Sequence, residues 1–438
     1  MSSSVRIMLV AAGLLLTSPA IAQTRAYTHA TVWTMTSDRP VENATIIVRD
    51  GLTVSVEAGG AVPADAPTTD LQGAVVTPGL FNAATQLGLV ELGSATSTRD
   101  ASTIWKGVGA GFDISYALNG NSTLVALARS DGLTGALVYP DPTAKVPFAG
   151  EASVIELREG SDILRKARAG LVAYVGGTQW LKEAGSRAAQ WEALIGALDQ
   201  ARNRQNDVAS RNRHNDRADH NRPTAKGERG HHDDDDLDVL DRRAADAVAR
   251  RDVPLVLFTN RESDLRRAIA IAKAYQVNVV IVGAAQAWRV GADLADAHIA
   301  VVVTPTDDLP NSYDELGSRL DNAAILSKAG VNVAFGQVGG ALGTSFNAGL
   351  ELRQEAGIAV ANGMPYASAL AAVTTTPRSV FDPKGPNGSI APGQPATFVA
   401  WDGDPLEPST LATHVVIAGS EQSIVTRQDL LARRYAGQ

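Results

Sequence analysis

The chain contains no cysteine in 438 residues. A disulfide, a thiolate metal site and a lipid anchor on a cysteine are therefore excluded. Aromatic residues supply only 5% of the chain against an apolar total of 45%. Ala, Gly and Val dominate, as expected of alternating helices and buried parallel strands. A broad basic field is also missing, because 39 Lys and Arg against 47 Asp and Glu leave a formal net charge of −8. That excludes nucleic acid as the expected partner. The apolar run IMLVAAGLLL, ten residues near the N-terminus, is too short to span a bilayer.

What that N-terminus does carry is an export pattern. Arg6 precedes the apolar run, and Ala20-Ile21-Ala22 fits small-x-small cleavage. Residues 1–22 are read as a signal peptide, with a mature chain starting at Gln23 and residing in a periplasm, without a membrane anchor once the signal is cleaved.

Hydrophobic periodicity divides the rest. Residues 23–76 carry short alternating segments such as AYTHATVWTM and ENATIIVRDG, separated by Asp-Gly, Gly-Gly and Pro. Residues 386–438 look alike, with TFVAWDG, HVVIAGS and EQSIVTR. Two such blocks predict a small β-sandwich built from both termini. Between them, in 77–385 and just before, apolar runs recur at 74–81, 133–140, 153–158, 170–177, 253–260, 277–284, 298–305 and 331–338. The third is the weakest. DLRRAIAIAKAYQ and RLDNAAILSKAG have helical apolar spacing. The expectation is an α/β fold: a parallel TIM-type (β/α)8 barrel plus the terminal β-sandwich. A doubly wound open sheet is the competing architecture. Residues 201–243 are polar and nearly free of large apolar side chains, which predicts a flexible insertion. His231, His232 and the acids 233–236 could hold a divalent cation weakly, but a solvated charge run is the simpler reading.

Standard catalytic signatures are absent. No Gly-x-Ser-x-Gly elbow joins a strand to a helix, and there is no P-loop. GVGAGFD at 107–113 lacks a preceding strand and reads as a loop. The segments VENATIIVRDG, VVTPGLFNAATQLGL and NGSIAPGQPATFVAWDGDPLE, however, resemble the metal-dependent amidohydrolase superfamily, in its imidazolonepropionase-like or dihydroorotase-like branches. VIVGAAQAWRVGADL and RQEAGIAVANGMPYASALAAVTTTP are similar to its late-barrel segments, so the resemblance spans nearly the whole mature chain. It implies one or two divalent metals, such as zinc, that generate hydroxide for hydrolysis of C–N or related bonds in amides, cyclic amides and some dipeptides.

The ligand positions depart from that pattern. The family's His-x-His on the first strand falls on Ala84 and Gln86, and its strand-five His on Phe258. The strand-six His falls near Gly283 or Ala284, the strand-eight Asp at Gln337 or Val338, and the bridging group near Val175 to Thr178. Neither Ala nor Phe can coordinate, and a neutral amide is a poor substitute for imidazole. Histidine usage agrees. His29 and His414 lie in the terminal blocks, His214, His220, His231 and His232 in the polar insertion, and only His298 in the barrel, ahead of its strand. No cofactor is expected on this reading.

The side chains left at strand ends are Thr85, Gln86, Asn260, Arg261 and Gln337, the candidate lining of a polar pocket. Arg261 could clamp a carboxylate, or pair with Glu262 or Asp264. Glu91, Asp100, Asp113, Asp307 and Asp308 are expected in loops at the same face. Two functions compete. One is a family member without metal-hydroxide chemistry that binds a small-molecule ligand or partners an active paralogue. The other is a hydrolase of C–N bonds with ligands not yet located. A homo-oligomer is compatible with both.

Overall fold

The computed structural model describes residues 23–92, 95–176, 186–215, 233–337 and 346–437. The expected signal peptide lies outside them. Two eight-stranded sheets organise the chain. The first takes β1 (Thr24–Val32), β2 (Val41–Arg49), β3 (Leu52–Ala58), β4 (Thr68–Asp70) and β5 (Val75–Pro78) from the N-terminal end. The second is the barrel: β6 (Leu80–Thr85), β7 (Leu133–Val138), β8 (Phe148–Glu156), β9 (Leu164–Tyr174), β10 (Leu255–Thr259), β11 (Val279–Gly283), β12 (Ala300–Val303) and β13 (Val333–Phe335). The C-terminal strands β14 (Phe398–Trp401), β15 (Ala412–Ile417) and β16 (Ser420–Gln422) then return to the first sheet, where β14 pairs antiparallel with β5. Trp401 is fully buried and donates its indole N–H to Thr77 Oγ1 at 2.9 Å, tying the two chain ends together.

The expected first run, 74–81, splits at Gly79. Its front half belongs to the terminal sheet and its back half starts the barrel. A Cβ at Gly79 would lie 2.2 Å from Thr134 Oγ1, so only glycine lets the chain cross so close to β7.

Barrel strands from β9 to β13 run parallel, as do β6 and β7. The fully parallel expectation fails at one strand, since β8 is antiparallel to both β7 and β9. The connections explain it. Residues 139–147 and 157–163 are too short for crossovers, which need a dozen or more residues, so the chain turns back on itself. Closure comes from β13 meeting β6, where the Gln337 N–H donates to Ala84 O at 2.9 Å. Gly336 makes this approach feasible, because a Cβ there would fall 2.6 Å from the Ala84 nitrogen.

Side chains alternate across the barrel wall. Phe81, Val172, Val256, Val280, Val282 and Val302 fill the interior with Phe258. Leu255, Leu257, Ile281 and Val301 face the surrounding helices. The helix Glu262–Tyr275 meets them with Leu265, Ala268, Ile269 and Ala272, the three- and four-residue spacing expected of it.

The insertion is corrected. Its flanks are helical, Arg187–Asn215 and Asp233–Ala249, while 216–232 lies outside the described residues. Composition misled because a short apolar row, with Trp191, Leu194, Leu198, Ala244 and Val248 buried, is enough to seat these helices once ion pairs add to it. Arg204 forks onto Asp246 at 3.0 and 2.7 Å, and Arg243 pairs with the buried Glu151. No helix among the described residues is long and apolar enough to cross a membrane.

Candidate functional site

Strands β10 to β13 deliver their C-terminal ends to one face, the mouth of the barrel, at Thr259, Gly283, Val303 and Phe335. Three arrangements meet there. None of them unites all the candidate residues.

The first is aromatic. Phe258, on the penultimate position of β10, is only 6% exposed. It stacks on Tyr174 at the end of β9, with ring centroids 4.3 Å apart and planes 16° apart. Tyr139, just past β7, also packs on Phe258, with centroids 4.9 Å apart and a tilt of 46°. Burial drives the Tyr174 phenol pKa well above its ordinary value, and its hydroxyl donates to Pro140 O at 3.3 Å.

The second arrangement fixes the polar ends of β6. Gln86, 2% exposed, donates Nε2 to Asp141 Oδ1 at 2.8 Å. Burial raises the Asp141 pKa, against the opposing pull of Gln86 and of Arg99, whose Nη2 lies at 3.4 Å. Thr85 is fully buried and its backbone carbonyl accepts from the Tyr139 N–H at 3.1 Å. Gln337 is 4% exposed and bonds both Asn82 and Glu351. Glu355, one turn further along the helix Leu350–Ala361, accepts from the Thr306 N–H and hydroxyl, each at 2.7 Å. Burial pushes its pKa up to about 7.

The third is a cleft of about 460 Å³ over the ends of β10, β11 and β12. Asn260 belongs to its lining, with Thr304, Asp307, Glu315, Arg319 and Asn322. Arg261 does not. It caps the helix Glu262–Tyr275 from the exposed side, and its expected partners are engaged elsewhere, Glu262 by Arg266 and Asp264 by Arg187. The five candidates are thus dispersed: Thr85 and Gln86 in the polar frame of β6, Gln337 at the barrel seam, Asn260 in the cleft and Arg261 outside it.

Of the loop acids, Asp307 lines the cleft. Glu91 accepts from Ser122 and Asn119, and Asp113 pairs with Arg168, so both are structural. Sequence reasoning missed Tyr139, Asp141, Tyr174, Glu315 and Asn322. Tyr139 and Asp141 lie just past the strand in the run ALVYPDP, and the strand-end rule applied to Gln86 would have found them.

These neighbours also test a metal. Ala84 is buried and without a donor side chain, the Gln86 amide is committed to Asp141, and Phe258 presents a ring. Among the described residues no group of three or more His, Asp, Glu or Cys could hold an ion. The donors present do not fit the divalent centre that the family resemblance implies. Val338 and part of 175–178 lie outside the described residues.

Solved structures share the fold. An amidohydrolase from Thermotoga maritima MSB8 is similar at a TM-score of 0.77 and 23% identity, over 92% of this chain and 100% of that one. A prolidase complexed with N-methylphosphonate-L-proline is similar at 0.54 and 16%, over 92% and 100%. An adenosine deaminase from Xanthomonas campestris with bound zinc is similar at 0.51 and 19%, over 94% and 96%. A comparison with curated proteins finds no match. The sequence pattern of the amidohydrolase family covers residues 143–426, more than half of the chain, and the chain belongs to that family.

Proposed function

We propose that this chain is a family member that binds a ligand at the barrel mouth and no longer performs metal-hydroxide hydrolysis. One observation carries the reading: Phe258, the position matching a family imidazole, is buried and packs its ring against both Tyr174 and Tyr139. An imidazole ligand needs a lone pair directed at a cation and a polar partner on its other nitrogen. An aromatic cluster supplies neither.

Binding remains open to the molecule because the adjoining cleft stays polar. Its lining retains Asn260, Thr304, Asp307, Glu315 and Asn322 while the aromatic group closes the barrel interior. In this reading the chain is also exported, with residues 1–22 removed.

Elemental analysis of the purified mature chain tests the loss of metal chemistry. Zinc, iron, manganese, cobalt and nickel should each stay far below one ion per chain, with no turnover of amide, cyclic amide or dipeptide substrates. Stoichiometric metal together with hydrolysis would restore the rival reading, an active C–N hydrolase.

A further inference from the structure

The cleft over β10 to β12 brings two carboxylates, Asp307 and Glu315, into one lining. Glu315 accepts from Asn260 Nδ2 at 3.0 Å with one oxygen and from the Asn311 N–H at 2.8 Å with the other. Those bonds fix the carboxylate without neutralising it. Asp307 stands at the exposed rim of the same cleft. Arg319 is the cation in the lining, and its charge is already committed. It pairs with Asp321 and lies over the Trp288 ring at 4.7 Å.

An independent observation points to a ligand. Asn322 is 7% exposed, lines the cleft, and its Oδ1 has no hydrogen-bond partner among the described residues. Its amide orientation is settled, because Nδ2 donates to Ala284 O at 3.1 Å. Reversing the amide would set two oxygens against each other. A buried acceptor left without a donor is unfavourable unless something completes it.

We propose that this cleft binds a small organic cation carrying N–H donors, of the ammonium or guanidinium class, held by Glu315, Asp307 and the Asn322 carbonyl. The inference rests on the reading of the barrel mouth as a binding site. Charge complementarity explains why two carboxylates share the space. Each is repelled by the other in the empty cleft, and a cation between them removes that repulsion. Partial burial against the cleft wall first, then Glu315 and Asp308, raises the Asp307 pKa to about 6, while the outer edge of the side chain stays in water. Glu355 and Arg319 are the other charged groups on that side. Lowering the pH through 6 would protonate Asp307 and weaken the site.

The test is calorimetry on the mature chain at pH 8 and pH 5, with agmatine, putrescine and neutral 1,4-butanediol as probes. Agmatine or putrescine should bind at pH 8, at least tenfold more weakly at pH 5, with no binding of the diol. Both probes carry an ammonium, so tighter binding of agmatine than of putrescine marks a preference for guanidinium, and the reverse a preference for ammonium. Asp307→Asn, on the exposed rim, and Glu315→Gln should each weaken binding about tenfold. Native melting temperature of Asp307→Asn would show that this loss is local. Failure of both cations to bind, or equal affinity for the diol, overturns the cation site. So does unchanged affinity in both variants. These results leave the metal content of the chain untouched, so a failed cation site and a failed loss of metal chemistry are told apart.

Discussion

Phe258 lies flat against Tyr174, centroids 4.3 Å apart, at the end of adjacent parallel strands where the barrel opens. Offset stacking of buried rings adds to the area they bury. Truncation would therefore lose transfer free energy and leave a cavity beneath Tyr139. Phe258→Ala should destabilise the fold by about 3–5 kcal/mol, the range for buried Phe truncation. Phe258→His should also destabilise it, and added zinc should not raise its melting temperature, because Ala84 and Gln86 supply no companion imidazole. Urea unfolding and thermal scans with and without zinc measure both effects. A zinc-dependent rise in melting temperature for Phe258→His would show a surviving set of donors.

Much of this arrangement could be read in the chain, and the failures have physical causes. The runs 253–260, 277–284, 298–305 and 331–338 contain β10 to β13, because uninterrupted apolar strands flanked by amphipathic helices leave few alternatives. The direction of β8 was not legible from periodicity, which reports burial and not polarity. The absence of a helical pattern between 141 and 152 carried the information instead. In the site, Ala84, Gln86 and Phe258 were found through the family pattern. Tyr174 was missed because an aromatic at a strand end is an ordinary core residue until closure places it against Phe258. The role of Asn322 depends on which amide atom reaches Ala284, which no spacing rule encodes.

The helix Asp233–Ala249 was expected to be partly loose, yet Asp241 pins it to the barrel. One carboxylate oxygen accepts from the Gly109 and Gly111 N–H groups at 3.0 and 2.8 Å, and the other from Lys145 Nζ at 2.8 Å. A Cβ at Gly111 would fall 2.5 Å from the Leu240 carbonyl carbon, so loop and helix fit closely. Asp241→Ala leaves two backbone donors without their acceptor and removes the ion pair of Lys145, whose ammonium keeps Gly107 O. The expected loss is about 1–3 kcal/mol. Hydrogen exchange should then rise in residues 107–111 and 239–249 together. Unchanged exchange in both segments would show that the helix is held by its other contacts, such as Arg204 with Asp246.

Glu355 offers a pH signature that distinguishes a buried acid from a surface one. It is 4% exposed, and burial raises its pKa from the ordinary 4.5 to about 7, with Asp307 and Glu351 adding to the rise and the Thr306 bonds opposing it. Above 4.5 the unfolded chain gives up this proton while the folded chain keeps it. The contribution of Glu355 to stability is therefore full below about 4.5 and is lost as pH climbs through 7. Glu355→Gln cannot ionise, so its stability relative to the native chain should improve from pH 5 to about pH 7 and level off by pH 8. A shift of that size corresponds to at most about 3.5 kcal/mol, at about 1.36 kcal/mol per pKa unit. Urea unfolding of both proteins at pH 5, 6, 7 and 8 gives the difference directly. A difference that stays flat across that window would mean the carboxyl is already ionised at pH 5, with Thr306 outweighing the burial around it.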